Sequence, residues 1–153
     1  MYQRILVPID GSPTSRRGLQ EALAVAKLTN ASVRLIHVVD ELPYTLSLDP
    51  TGAWTGDMYT MLREAGQAIL NEGKAQVDAA GIPVDIVLKD TFQGRVCDLV
   101  LEEAANWEAD LIVIGTHGRR GPGRLLLGSD AEQILRLAPV PVLLVRMPGP
   151  AMP

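Results

Sequence analysis

Gly115-Thr116-His117-Gly118-Arg119-Arg120-Gly121-Pro122-Gly123-Arg124-Leu125-Leu126-Leu127-Gly128-Ser129 joins an apolar run, Leu111 to Ile114, to a segment of helical character, Ala131 to Ala138. A short apolar run of this kind reads as a strand buried on both faces. A glycine-rich connection from such a strand into a helix is a phosphate-site candidate. Glycine lets main-chain N–H groups approach an anion closely, and a helix start adds unpaired N–H donors and a partial positive charge. The Ser129 hydroxyl has two readings here, as the cap of the helix or as a phosphate contact.

Working outward, the segments on either side alternate between strand and helix patterns. Arg4 to Ile9 reads as a first strand ending near Pro8, followed by an Asp10-Gly11-Ser12 turn and N-cap. From Ser15 to Thr29, Leu19, Ala22, Leu23 and Ala26 fall on one helical face, and Asn30 ends it. Ser32 to Val39 is a second strand. Residues 40–56 hold two prolines and two glycines and form a connection longer than the usual ~4–6 residues, open to a lid role or to simple insertion. Asp57 to Ala80 is a long amphipathic helix stopped by Gly81. Pro83 to Lys89 is a third strand, with Val84, Ile86 and Leu88 on one side and Val87 on the other. Phe92 to Trp107 is a helix with Val96, Leu99, Val100 and Ala104 inward. The fourth strand, the glycine loop and the fourth helix lead to a last strand, Pro141 to Arg146, and residues 148–153 form a Pro-rich tail.

Strands alternating with helices predict a doubly wound α/β fold with a parallel sheet and right-handed crossovers. Ligands of such sheets lie at the carboxyl ends of the strands where the strand order reverses. If strands one and four flank that point, Asp10 faces Gly115 across the crevice, which suggests a nucleotide with Asp10 accepting from a ribose hydroxyl or a base amine.

Composition bounds the rest. The 153 residues suit one domain, and 47% hydrophobic with 21% charged residues describes a globular chain rather than a disordered or fibrous one. A net charge of −4 argues against nucleic acid or an anionic membrane as partner. The single cysteine, Cys97, fits a reducing compartment, and no apolar run reaches the roughly 18 residues of a membrane span, so a cytoplasmic location is expected. Thr116 to Leu127 carries three arginines, Arg119, Arg120 and Arg124, and no Asp or Glu, which places positive charge inside the candidate phosphate loop. Gly-x4-Gly-Lys-Ser/Thr is absent, and no Gly-x-Gly-x-x-Gly follows strand one, so neither the P-loop nor the dinucleotide fingerprint applies. His37 reads as a satisfied buried histidine, His117 as a phosphate contact or a turn residue, and Cys97 as a small buried apolar residue. Two separated histidines and one cysteine do not make a zinc site.

Taken together, Val7-Pro8-Ile9-Asp10-Gly11-Ser12, His37-Val38-Val39-Asp40, the Gly-x2-Gly-x9-Gly-Ser spacing at Gly115, Gly118, Gly128 and Ser129, and Ala138 to Arg146 resemble the universal stress protein family. The resemblance spans Arg4 to Arg146, and the spaced glycines resemble those of its ATP-binding branch. It implies a single domain over residues 1–147 and a five-stranded parallel sheet in the order 3-2-1-4-5, with helices on both faces, as in the adenine nucleotide alpha hydrolases. It also implies a homodimer through the last strand and ATP or another adenine nucleotide as ligand, with Mg²⁺ as the accompanying cation. Carried over, Pro8 and Asp10 line the ribose and base end, and Val38 packs on adenine. Ile114 and Gly115 contact the nucleoside through main chain, Gly118 makes room for phosphates, and Gly128 and Ser129 hold them. Where such relatives commonly carry Val or Thr, this chain has Asp130. It suits the first turn of a helix but repels a terminal phosphate unless it turns away or binds a metal. Three functions follow: a nucleotide-binding regulatory module of the stress response, a slow ATPase or phosphotransfer enzyme with Asp130 as the acidic group near the terminal phosphate, and an interaction protein with a vestigial site.

Overall fold

The computed structural model describes residues 1–40, 56–116 and 127–148. The chain forms β1 (Arg4–Pro8), α1 (Pro13–Thr29), β2 (Ser32–Val39), α2 (Gly56–Ala79), β3 (Val84–Asp90), a 3-10 turn (Thr91–Gln93), α3 (Val96–Asn106), β4 (Leu111–Gly115), α4 (Ser129–Leu137) and β5 (Val142–Val145). All neighbouring strands are parallel, in the order β3-β2-β1-β4-β5. The expected strand order is therefore realised, with the reversal between β1 and β4.

Alternation along each strand divides the core in two. Ile5, Val7, Val33, Leu35, Leu111 and Val113 pack under α1 and α2 with Leu19, Ala22, Leu70 and Val77. Leu6, Ile36, Ile112 and Ile114 pack under α3 and α4 with Cys97, Val100, Ala104, Ala131 and Ile134. Val84, Ile86 and Leu88 join the first layer and Val87 the second, as their alternation predicts. Two helices per face follow from right-handed crossovers leading first to one side of β1 and then to the other.

The ends of elements obey local chemistry. Ser12 caps α1 by accepting from the Ser15 N–H, and Pro13 opens the helix, two residues earlier than the apolar pattern indicates. Asn30 closes it in the left-handed conformation at φ 56°. The single helix expected over residues 92–107 is divided. Gly94, at φ 152°, follows the 3-10 turn, and α3 begins only at Val96. The inward positions Val96, Leu99, Val100 and Ala104 all lie beyond the break while Phe92 before it is exposed, so the core-facing period carries no information on where the helix starts.

One polar cluster lies against the α3 face. The Arg34 guanidinium bonds Asp85 at 2.6 and 2.7 Å and Glu103 at 2.7 Å, and its Cζ lies 4.7 Å from the centre of the Trp107 ring. Lys89 adds a second cation 3.6 Å from Glu103. The Asp85 hydrogen bonds, opposed by burial and assisted by Glu103, hold the Arg34 charge by raising its pKa.

Candidate functional site

The carboxyl ends of β1 and β4 carry the site. Register pairs Leu6 with Ile112 and Pro8 with Ile36, so the end of β1 lies between β2 and β4. Half-buried Pro8 ends β1. Ile9 is then held twice, its N–H donating to the Ile36 carbonyl at 2.8 Å and its carbonyl 2.7 Å from His37 Nδ1. Since a carbonyl only accepts, His37 donates from Nδ1, and the ring is the buried, satisfied histidine expected of it.

Asp10 follows in a turn that directs its carboxylate. One oxygen accepts the Ser12 N–H at 2.8 Å, Gly11 adopts φ 80°, and the Asp10 N–H donates to Ser15 Oγ at 3.1 Å. The carboxylate is half-buried at the crevice, tied to the first turn of α1. Val38 is half-buried one residue before the end of β2, on the α3 and α4 face with Ile114.

Gly115 ends β4 against α1. A methyl group there would lie 2.8 Å from the Thr14 carbonyl carbon and oxygen and 3.1 Å from the Ser15 nitrogen. Gly18, one turn further along α1, comes within 3.4 Å of the Gly115 nitrogen by the same measure. Strand end and helix start thus meet backbone to backbone. Beyond Gly115, the Thr116 N–H continues the ladder to the Val145 carbonyl at 3.0 Å, and the Thr116 carbonyl accepts the Gly128 N–H at 2.7 Å. This last bond closes the root of the glycine loop. Gly118, His117, Arg119, Arg120 and Arg124 lie outside the described residues, as does Trp54 of the long connection.

At the far end of the loop, Gly128 is the N-cap of α4 and Ser129 its first helical residue, so the Ser129 hydroxyl is not the cap. That leaves the exposed hydroxyl open to a ligand. The first i→i−4 bond of α4 is Glu132 N–H to the Gly128 carbonyl at 2.9 Å. With the Gly128 N–H engaged by Thr116, the donors facing outward at this helix start are those of Ser129, Asp130 and Ala131.

Asp130 gives the site its opposing charge. Although its side chain reaches solvent, partial desolvation and then the negative charge of Asp40 raise its carboxyl above the usual range. The ends of β2 and α4 therefore bring two carboxylates within electrostatic reach of each other. Burial first, then Asp98, and further on Asp130, push the Cys97 thiol up, as suits an inert core thiol. Among the described residues no three His, Cys, Asp or Glu side chains come together as metal ligands. No helix among them is long and apolar enough to cross a membrane.

The Asp10-Gly11-Ser12 sequence signalled the α1 cap. The proximity of Asp40 to Asp130 and the position of Thr116 had no sequence signal, because each depends on which strands are neighbours.

The sequence matches the universal stress protein family over residues 1–146. It is 35% identical over 148 residues to a universal stress protein of Methanocaldococcus jannaschii, covering 97% of this chain and 84% of the relative. Among solved structures, a universal stress protein family member from Burkholderia pseudomallei superimposes with a TM-score of 0.75 at 30% identity, over 94% of this chain and 95% of the other. A universal stress protein solved in complex with cAMP superimposes with a TM-score of 0.64 at 27% identity, over 95% of this chain and 97% of the other. The chain belongs to the universal stress protein family.

Proposed function

We propose that this protein binds an adenine nucleotide, with ATP as the leading candidate, in the crevice between the ends of β1 and β4, and that occupancy regulates a homodimer in the stress response. The observation that carries the proposal is the pairing of a tethered carboxylate, Asp10, with a glycine loop closed at its root by Thr116 and Gly128 and leading into the outward N–H groups of α4. A carboxylate suits ribose hydroxyls or a base amine, and a glycine loop ahead of a helix start suits phosphate. The relative solved with cAMP supports an adenine nucleotide of this size in the fold.

In this reading Pro8, Asp10 and Val38 hold the nucleoside end, and Ile114 and Gly115 contact it through main chain. Gly118, Gly128 and Ser129 surround the phosphates. Asp130 lies at the phosphate end, where Mg²⁺ would offset its repulsion. Binding rather than turnover is the proposed activity, since phosphoryl transfer calls for a positioned base and metal ligands, and Asp130 alone is offered for both. The dimer is proposed through β5, which has no neighbouring strand on its outer edge among the described residues and carries exposed Leu143.

Mass spectrometry of small molecules released from freshly purified protein, with calorimetric titration of ATP, AMP and cAMP, tests the proposal. Recovery of an adenine nucleotide or micromolar binding is expected. A protein that releases none and takes up none of the three refutes it.

A further inference from the structure

We infer that the Thr116 hydroxyl is a ligand contact, donating to a phosphate oxygen held at the first turn of α4. Thr116 is only 4% exposed, and its Oγ1 has no hydrogen-bond partner among the described residues. A buried hydroxyl without a partner is disfavoured, and each one in a native fold calls for an explanation.

Its location supplies one. Ile112 and Ile114 face the α3 and α4 layer, and the Thr116 N–H extends the same ladder to Val145, so alternation carries the Thr116 side chain to that face. The Thr116 carbonyl is bonded to Gly128, the cap of α4, which brings the residue beneath the first turn of that helix. The orphan hydroxyl thus lies next to the helix start whose outward N–H groups are those of Ser129, Asp130 and Ala131, and the inferred anion position is between them. The main-chain groups of Thr116 are already used, and only the side chain is left for a ligand. A bond from a neutral hydroxyl to a charged oxygen is of the stronger kind. The inference rests on the adenine-nucleotide reading above and names the group within that site that recognises the phosphate adjoining the ribose.

The test compares wild type, Thr116→Val and Thr116→Ser as full-length proteins, titrated with AMP and with adenosine and melted without ligand. Valine keeps the shape and removes the hydroxyl. Thr116→Val is expected to bind AMP about tenfold more weakly, to bind adenosine as wild type does, and to melt no lower than wild type. Thr116→Ser is expected to restore AMP binding. Unchanged AMP affinity in Thr116→Val, an equal loss for adenosine, or a lower melting temperature without ligand would overturn the contact. Wild-type protein that binds neither AMP nor adenosine removes the nucleotide reading and the contact with it. Wild type that binds while Thr116→Val binds equally removes the contact alone.

Discussion

Gly115→Ala tests the approach of β4 to the backbone of α1. The added methyl group would stand 2.8 Å from both the carbon and the oxygen of the Thr14 carbonyl. Ordinary carbon contacts begin at about 3.5 Å, so α1 and β4 must separate by roughly 0.7 Å or distort. Neither partner yields easily. The obstructing atoms are backbone, and that backbone is held by the Ser12 cap and by the Arg16 N–H bond to the Ser12 carbonyl at 3.0 Å. Overpacking of this kind costs about 1–3 kcal/mol, which for a chain of this length lowers the melting temperature by about 2–12 °C. Gly18→Ala is the matched control across the same interface. Its methyl group would meet the Gly115 nitrogen at 3.4 Å, an ordinary contact, and alanine gains helix propensity of about 1 kcal/mol over glycine. Thermal and urea unfolding should place Gly115→Ala well below wild type and Gly18→Ala at or above it. A Gly115→Ala protein as stable as wild type would refute the backbone-to-backbone approach of α1 to β4, and with it the geometry of the proposed crevice.

Glu103 has a side chain 8% exposed between Arg34 and Lys89, and Glu103→Ala leaves two partly buried cations short of a partner. A loss of about 3 kcal/mol is expected in urea unfolding, and a loss below about 1 kcal/mol would mean that solvent already screens the cluster. For Asp130 the folded-state pKa is raised above the ordinary 3.8, so the folded protein holds that proton more tightly than the unfolded chain. Its charged form therefore opposes folding at neutral pH, and the penalty disappears as pH falls through the raised value to below 3.8. Asp130→Asn should be more stable than wild type at pH 7 and equal to it in acid, and a gain that does not depend on pH would contradict the assignment. Leu143, 38% exposed on β5, tests the dimer: light scattering of Leu143→Lys should give monomers, and a surviving dimer would direct attention to another surface.

Much of this protein was legible along the chain. Apolar periods of two and of 3.6 mark strands and helices from neighbouring residues alone, and Asn30, Gly81 and the Asp10-Gly11-Ser12 turn end or start elements through their own backbone preferences. With the glycine spacing and its resemblance, that sufficed for the strand order and for the residues expected around a nucleotide. The division at Gly94 escaped because the core-facing residues of the pattern all lie after it, from Val96 on, while Phe92 before it is exposed. The cap of α4 passed to Gly128 because where a helix begins is decided by backbone angles, and serine is acceptable on either side of that boundary.

Other features were decided by tertiary structure. Arg34 and Glu103 are 69 residues apart in sequence and meet only because β2 passes beneath α3. Asp40 and Asp130 sense each other only because the ends of β2 and β4 lie on the same edge of the sheet. Whether Gly115 tolerates a side chain depends on Thr14, and whether the Thr116 hydroxyl has a partner depends on what surrounds it after α4 has docked. Sequence determines such matters only through the whole fold, because a hydrogen bond, a steric overlap or a raised pKa is set by distances of a few ångströms between atoms that the chain order leaves far apart.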